Sequence, residues 1–254
     1  MRASGTIALK RVLRRRAGTG WASVLVFHRV STTHPEGGMA IRPARFRLLL
    51  ALLRDEYTVI SASDLVARLQ ARTPFSGREV VITFDDGYED NFTQAAPLLR
   101  EFHLPACFFL TAGYIGTPRT FPWDEAAGRS SGMMSWEQAR SMVAMGFEIG
   151  LHTWSHPDLG REPISSWTRE LVDARRLAEE RLDCQVRHFA YPFGGREHMR
   201  PDWVEAVRRA GLESNFCGFG GHVTAADNPY WIPRMGASHQ RTLTDLRIDM
   251  DQAW

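Results

Sequence analysis

The run Val80-Val81-Ile82-Thr83-Phe84 is apolar at almost every position and then stops against Asp85-Asp86-Gly87. A strand with one solvated face would alternate. A strand that does not alternate must be covered on both faces, as in a parallel sheet flanked by helices. Similar short runs recur at Ser23–His28, Tyr57–Ile60, Ala106–Leu110, Phe147–Leu151 and His188–Tyr191. Ser214–Gly218 and Tyr230–Ile232 are two further strand candidates. Between them lie segments with helical spacing: Pro43–Arg54, a helix carrying Leu65, Val66 and Leu69, Ala95–Phe102, a helix opened by Ser135, Ser165–Leu182, and Pro201–Ala210. Pro43 suits a first turn, Ser61 or Ser63 suits a cap, and Gly211 suits the residue after a helix end. Strands alternate with helices without an internal repeat or a low-complexity linker. The expectation is one α/β domain over residues 21–254, its parallel strands closing toward a barrel, behind a basic tail at 1–20. The polar motifs directly follow apolar strands, on the face where α/β barrels collect their active sites.

A formal net charge of +2 gives no basic surface of the kind nucleic-acid binding needs. The one local bias is Lys10, Arg11, Arg14, Arg15 and Arg16, which reads as a solvated tail or as a peripheral contact with an anionic membrane surface. Cys107, Cys184 and Cys217 are odd in number and sit in or beside apolar runs, so they read as buried thiols. No stretch approaches the roughly 18–20 apolar residues of a membrane span. Lys10 interrupts the short apolar run after the N-terminus, so no clean signal peptide is expected. The expected location is cytoplasmic or membrane-peripheral, with the envelope left open and no expectation for the oligomeric state.

Adjacent carboxylates repel each other and lose hydration when buried. One reading makes Asp85 a cap and Asp86 a turn residue before Gly87. The other places a divalent cation there, with one carboxylate as ligand and its neighbour as base. His152 and His156 stand four apart just past a strand end, and a helically coiled turn would put both rings on one side. The zinc-protease motif is excluded, because Thr153 stands where that motif needs glutamate. Two imidazoles and a carboxylate with open positions suit catalytic zinc, and cobalt, nickel or iron also fit. Such a metal lowers the pKa of a water and polarises a carbonyl, while the second aspartate takes the proton. The segment Phe189-Ala190-Tyr191-Pro192-Phe193-Gly194-Gly195 is a strand end that exposes backbone N–H groups at the mouth.

These segments carry a family resemblance. Thr83-Phe84-Asp85-Asp86-Gly87 and His152-Thr153-Trp154-Ser155-His156 are similar to the first two motifs of the NodB-like polysaccharide deacetylases, carbohydrate esterase family 4. Ala190-Tyr191-Pro192-Phe193-Gly194 resembles a variant of the third. The resemblance covers roughly residues 22–236 and makes 21–254 a deacetylase catalytic domain, a distorted (β/α) barrel of about seven parallel strands. It implies Asp85 as general base, Asp86, His152 and His156 as metal ligands, and the Phe193 backbone N–H as oxyanion donor. The arginine that usually opens the third motif is replaced by Ala190. Arg234, after another strand-like run, is expected to fill that space. The family's late Leu-x-His motif is not evident near His239. Leu25-Val26-Phe27-His28 resembles it instead, as in circularly permuted exopolysaccharide deacetylases, which makes His28 the expected general acid. Tyr191, Pro192, Trp154 and Trp123, with Phe121, are expected to face the sugar.

The implied activity is removal of N-acetyl, or O-acetyl, groups from an amino-sugar polysaccharide or glycan precursor. An amidase acting on a small non-peptide C–N bond and a non-catalytic carbohydrate-binding protein are the competing readings. Asp85 speaks against the latter, since a merely structural metal would not need the additional carboxylate.

Overall fold

The computed structural model describes residues 20–33, 39–128, 132–237 and 242–252. The basic tail, apart from Gly20, and His239 lie outside the described residues. Among the described residues there are eleven strands: β1 (Trp21–Phe27), β2 (Arg29–Val30), β3 (Ala40–Ile41), β4 (Thr58–Val59), β5 (Glu79–Phe84), β6 (Cys107–Leu110), β7 (Glu148–Leu151), β8 (His188–Ala190), β9 (Ser214–Phe216), β10 (His222–Thr224) and β11 (Met235–Gly236). The helices are α1 (Pro43–Glu56), α2 (Ala62–Gln70), α3 (Ala96–Glu101), α4 (Pro122–Ala126), α5 (Trp136–Ala144), α6 (Ala174–Leu182), α7 (Pro201–Arg209) and α8 (Leu243–Asp251).

The main sheet runs β10-β1-β5-β6-β7-β8-β9. Every pairing along it is parallel except that of β10 with the foot of β1. Closure comes from the segment 232–236. Ile232 bridges Phe216 of β9, and Met235 and Gly236 then pair with Leu25 and Val26 of β1. The result is the expected distorted barrel.

Because side chains alternate across each strand, the barrel sorts its residues into two cores. Ala22, Val24, Val81, Cys107, Phe109, Ala190, Phe216 and Ile232 pack inside it, over α2, which plugs the floor with Ala62, Leu65, Val66 and Leu69. Leu25, Phe27, Ile82, Phe84, Phe108, Leu151 and Phe189 face outward against the helices. Gly150 lies on the inner face because any Cβ there would meet the Phe109 ring at 2.4 Å. The two-residue period carries Val81 and Thr83 up to Asp85, so the base candidate points into the mouth rather than toward the helices.

Local signals behave as their chemistry dictates. Ser61, not Ser63, caps α2 by accepting from the Asp64 N–H, and Ser135 forms a capping box with Gln138. The expected helix over Ala95–Phe102 begins earlier, with a π-helical turn at Asn91–Ala95. The helix over Ser165–Leu182 is three pieces: a 3₁₀ turn at Ile164–Ser166, a π-helical turn at Thr168–Asp173 and α6. Tyr230–Ile232 is not a strand. Only Ile232 bridges β9, because Tyr230 and Trp231 belong to a turn closed by the Trp231 N–H on the Asn228 carbonyl. The cysteines are free, with Cys107 and Cys217 buried and Cys184 half-buried. Among the described residues no helix is long and apolar enough to cross a membrane.

Candidate active site

Strand β5 delivers Asp85 and Asp86 to the mouth. The Asp85 N–H is held by the Phe27 carbonyl at 2.9 Å, continuing the β1–β5 ladder by one residue. At Asp86 the backbone turns left-handed, with φ of 77°. Thr153, His156 and Phe193 are left-handed as well, at 66°, 57° and 59°. Such conformations cost a non-glycine residue about 1–3 kcal/mol each and persist only where surrounding contacts enforce them. All four cluster at the mouth.

The Asp86 Oδ1 lies 3.5 Å from His152 Nε2 and 3.4 Å from His156 Nε2. Ligands about 2.0–2.1 Å from a tetrahedral ion stand about 3.3 Å apart, so this spacing suits one cation. Both Asp86 oxygens and His156 Nδ1 are buried without a hydrogen-bond partner. A buried carboxylate left unsatisfied between two imidazoles is costly, and a cation removes that cost. His152 Nδ1 lies 2.8 Å from the Ala190 carbonyl, so the proton sits on Nδ1 and the Nε2 lone pair faces the site. Burial pushes the His152 pKa down to about 4, against the pull of Asp85, so the ring is neutral at pH 7. Among the described residues, Asp86, His152 and His156 are the group placed to hold a metal.

Asp85 is buried beside this group. Arg234 grips it through two parallel bonds, Nη1 to Oδ1 and Nη2 to Oδ2, both 2.7 Å. Arg234 is itself 2% exposed, and it also donates to the Cys217 carbonyl at 2.9 Å and to the Thr83 hydroxyl at 3.2 Å. Burial pushes the Asp85 carboxyl upward, but Arg234 and then His152 outweigh it and hold it below the ordinary carboxylate range. Asp85 is therefore ionised and oriented. Ala190, which stands where the third motif usually has arginine, is fully buried, and Arg234 grips Asp85 from the closing segment of the barrel instead.

His28 directly follows β1 and is half-buried. The residue before it, Phe27, holds the Asp85 N–H through its carbonyl, so the His28 loop opens at the same mouth. Phe193 is 54% exposed, and its ring meets His156 edge-on at 4.9 Å. Among the described residues no acceptor takes the Phe193 N–H. Gly194 fixes this turn: a Cβ there would meet the Gly218 nitrogen at 2.4 Å. Trp123 lies 5.0 Å from the His156 ring, stacks at 4.5 Å on buried Phe121, and donates from Nε1 to the Tyr88 hydroxyl at 2.9 Å. The Tyr88 hydroxyl donates a hydrogen bond to Asp124 Oδ2 at 2.8 Å, and Arg29 covers the Tyr88 ring at 4.1 Å. Trp123 and Phe193 thus form an aromatic wall beside the metal group.

Four of the expected sugar contacts are corrected. Tyr191 is fully buried, since the two-residue period turns it outward with Phe189 into the core beneath the helices. Pro192 is buried under the same turn. Trp154 packs on Gly113 and lines a separate cavity of about 450 Å³ with Arg169, Asp173, Arg176, Leu177 and Glu180. Phe121 supports Trp123 from behind and has no exposed surface. The sequence reading also missed Tyr88, Asp124, Arg29, Asn91 and Glu170. Glu170 had a signal: it lies one residue before Leu171 and four before Ala174, both buried, so a carboxylate falls on the apolar face of its helix.

Comparisons with known proteins identify the family. The family model described as Polysaccharide deacetylase matches residues 72–214, more than half of the 254-residue chain. The chain belongs to the polysaccharide deacetylase family, a family of hydrolases. It is similar to the poly-beta-1,6-N-acetyl-D-glucosamine N-deacetylase of Staphylococcus aureus (strain MRSA252), at 26% identity over 170 residues, 63% of this chain and 55% of that protein. The chain therefore spans about half the length of that relative. It is 22% identical over 216 residues to YxkH of Bacillus subtilis (strain 168), covering 85% of this chain and 71% of that one. Among solved structures, IcaB from Ammonifex degensii superposes with a TM-score of 0.77 at 25% identity, covering 92% of this chain and 98% of that chain. The Streptococcus pyogenes deacetylase PplD, in complex with acetate, shares the fold with a TM-score of 0.77 at 20% identity, covering 91% of this chain and 99% of that one.

Proposed function

We propose that the protein removes N-acetyl groups from an amino-sugar polysaccharide, with a polymer of N-acetylglucosamine as the preferred class of substrate. The observation that carries this reading is the pairing of an orphaned buried carboxylate, Asp86 between His152 and His156, with an ionised, doubly held carboxylate, Asp85, beside it. A purely structural metal would use the first and leave the second without a task. A divalent cation held by Asp86, His152 and His156, zinc by the nature of the donors, supplies Lewis acidity toward the acetyl carbonyl and toward water.

The remaining chemistry belongs to the chain. Asp85, ionised under Arg234, takes a proton from the attacking water, whose oxygen bonds to the acyl carbon. The N–H of Phe193 stabilises negative charge on the acyl oxygen as the carbon becomes tetrahedral. The C–N bond then breaks, and His28 gives its proton to the departing amine, so acetate and a free amino sugar leave. The exposed faces of Trp123 and Phe193 suit the apolar face of a sugar ring and shield the mouth from bulk water.

The experiment is acetate release from poly-β-1,6-N-acetylglucosamine, chitooligosaccharides and peptidoglycan fragments by zinc-loaded protein, with Asp85→Asn as control. Acetate from at least one polymer, abolished in the control, is the expected result. A zinc-loaded protein that releases acetate from none of them would sink the proposal.

A further inference from the structure

The chain contains two π-helical turns among the described residues, Asn91–Ala95 and Thr168–Asp173, each at the start of a longer helix. A π-turn inserts a residue into the i→i−4 ladder and rotates what precedes it relative to the helix that follows. In both turns the rotation buries a polar side chain that an uninterrupted amphipathic helix would have no reason to point inward. Asn91 has no exposed surface, and Glu170 has 3%.

Each of these side chains grips the backbone of a loop that bears a site histidine. The Glu170 carboxylate accepts three bonds from the segment between His152 and His156: the Trp154 N–H at 3.1 Å, the Ser155 N–H at 2.9 Å and the Ser155 hydroxyl at 2.8 Å. That segment holds the left-handed Thr153 and His156, so Glu170 satisfies the very donors that this strained path turns away from any regular ladder. Asn91 Nδ2 donates to the His28 carbonyl at 2.8 Å. Its neighbour Asp90 accepts from the Val30 N–H at 3.2 Å and from Arg29 Nε at 2.8 Å, which closes the other side of the same loop.

Resting on the metal-site reading above, we infer that the two π-turns are positioning devices for the two histidine loops: Glu170 sets the spacing of the metal ligands, and Asn91 sets the placement of His28. Neither side chain touches the reacting atoms. The division of labour follows from the contacts. Loss of the Glu170 grip lets the His152–His156 loop relax out of its left-handed path, and the two Nε2 atoms separate from Asp86. Loss of the Asn91 grip leaves the ligands in place but releases the loop of the proton donor.

The test uses the full chain stripped of metal and titrated with zinc against a chromophoric chelator, with thermal melting as a fold check. Glu170→Ala is expected to weaken zinc binding by about 10–100-fold, the usual effect of removing a group that orients ligands. Glu170→Gln keeps an acceptor for the two amides and is expected to retain most of the affinity. Asn91→Ala is expected to bind zinc like the parent and to lose turnover by on the order of 10–100-fold. If Glu170→Ala does not fold, Glu170→Asp, too short to reach both amides, takes its place with the same expectation. A folded Glu170→Ala that binds zinc as tightly as the parent, or an Asn91→Ala with full turnover, overturns the inference. A parent chain that binds no zinc at all instead overturns the metal-site reading on which it rests.

Discussion

Arg234 and Asp85 illustrate how one pair can serve both folding and chemistry. Each is buried, and two parallel hydrogen bonds join them, with Arg234 held further by Cys217 and Thr83. Removing one partner of such a pair leaves an uncompensated buried charge, which costs about 3–5 kcal/mol. Arg234→Ala should therefore lower the melting temperature clearly as well as turnover. It should also move the acidic limb of kcat/KM upward. The guanidinium holds the Asp85 pKa down, so without it the ionised base is lost at a higher pH as the solution is acidified. A double variant, Arg234→Met with Asp85→Asn, should recover much of the lost stability and none of the activity. A pH–rate profile that does not shift in Arg234→Ala would remove the orienting role. His28→Ala should cut turnover by orders of magnitude while zinc content stays at the parent's level, and unchanged turnover would exclude it as proton donor. At this scale the sequence was informative where chemistry is encoded in spacing. Asp85, Asp86, His152 and His156 converge as their motifs suggest. Tyr191 did not follow, because a residue beside a strand end can face either side of a sheet and only the register decides which; Trp154 did not, because it follows the left-handed turn at Thr153, which no periodicity encodes. Tyr88 and Asp124 were invisible because their partnership crosses 36 residues of chain.

The barrel floor is the element-scale counterpart of the mouth. His188 of β8 contacts the Ser63 hydroxyl of α2 at 3.0 Å and the Ser214 hydroxyl of β9 at 2.9 Å, so one ring ties plug to wall. Glu148 of β7 accepts from the Ala62 N–H at the start of α2 at 2.9 Å. Burial pushes the His188 pKa down to about 4 from an ordinary 6.5. The sign follows from linkage: the unfolded chain takes up the proton first, so this contribution is complete above about pH 6.5 and is lost as pH falls toward 4. His188→Asn should accordingly flatten the fall in stability between those pH values, measured by urea melts of metal-free protein. An equally steep fall would assign the acid sensitivity elsewhere. Elements with strong apolar runs or caps, such as β5, β6, α1 and α5, were readable in the sequence. Strand β10 was not, since an edge strand of three residues has too little pattern to stand out, and the π-turns were not, since they keep helical composition.

For the whole molecule, the metal is expected to act as a staple across strands β5 and β7, because Asp86 and the two histidines follow those strands. A ligand present at a hundredfold excess over its dissociation constant stabilises the folded state by about 2.7 kcal/mol. For a domain of this size that corresponds to roughly 5–10 °C. Zinc added to stripped protein should raise the melting temperature by that amount, and Asp86→Ala should abolish the increase. The architecture was legible from alternation alone; the means of closure was not. The sequence reading assigned the last strand to Tyr230–Ile232, whereas the ring is completed by the stretch through Ile232 and Met235–Gly236. That stretch carries Arg234. The guanidinium can reach Asp85 only when the final seam of the barrel is sewn, so an incompletely closed chain would possess all the proposed metal ligands and still lack the held carboxylate proposed as base. Catalytic competence thereby reports on completion of the fold, and a nick in that seam should silence the enzyme before it unfolds it.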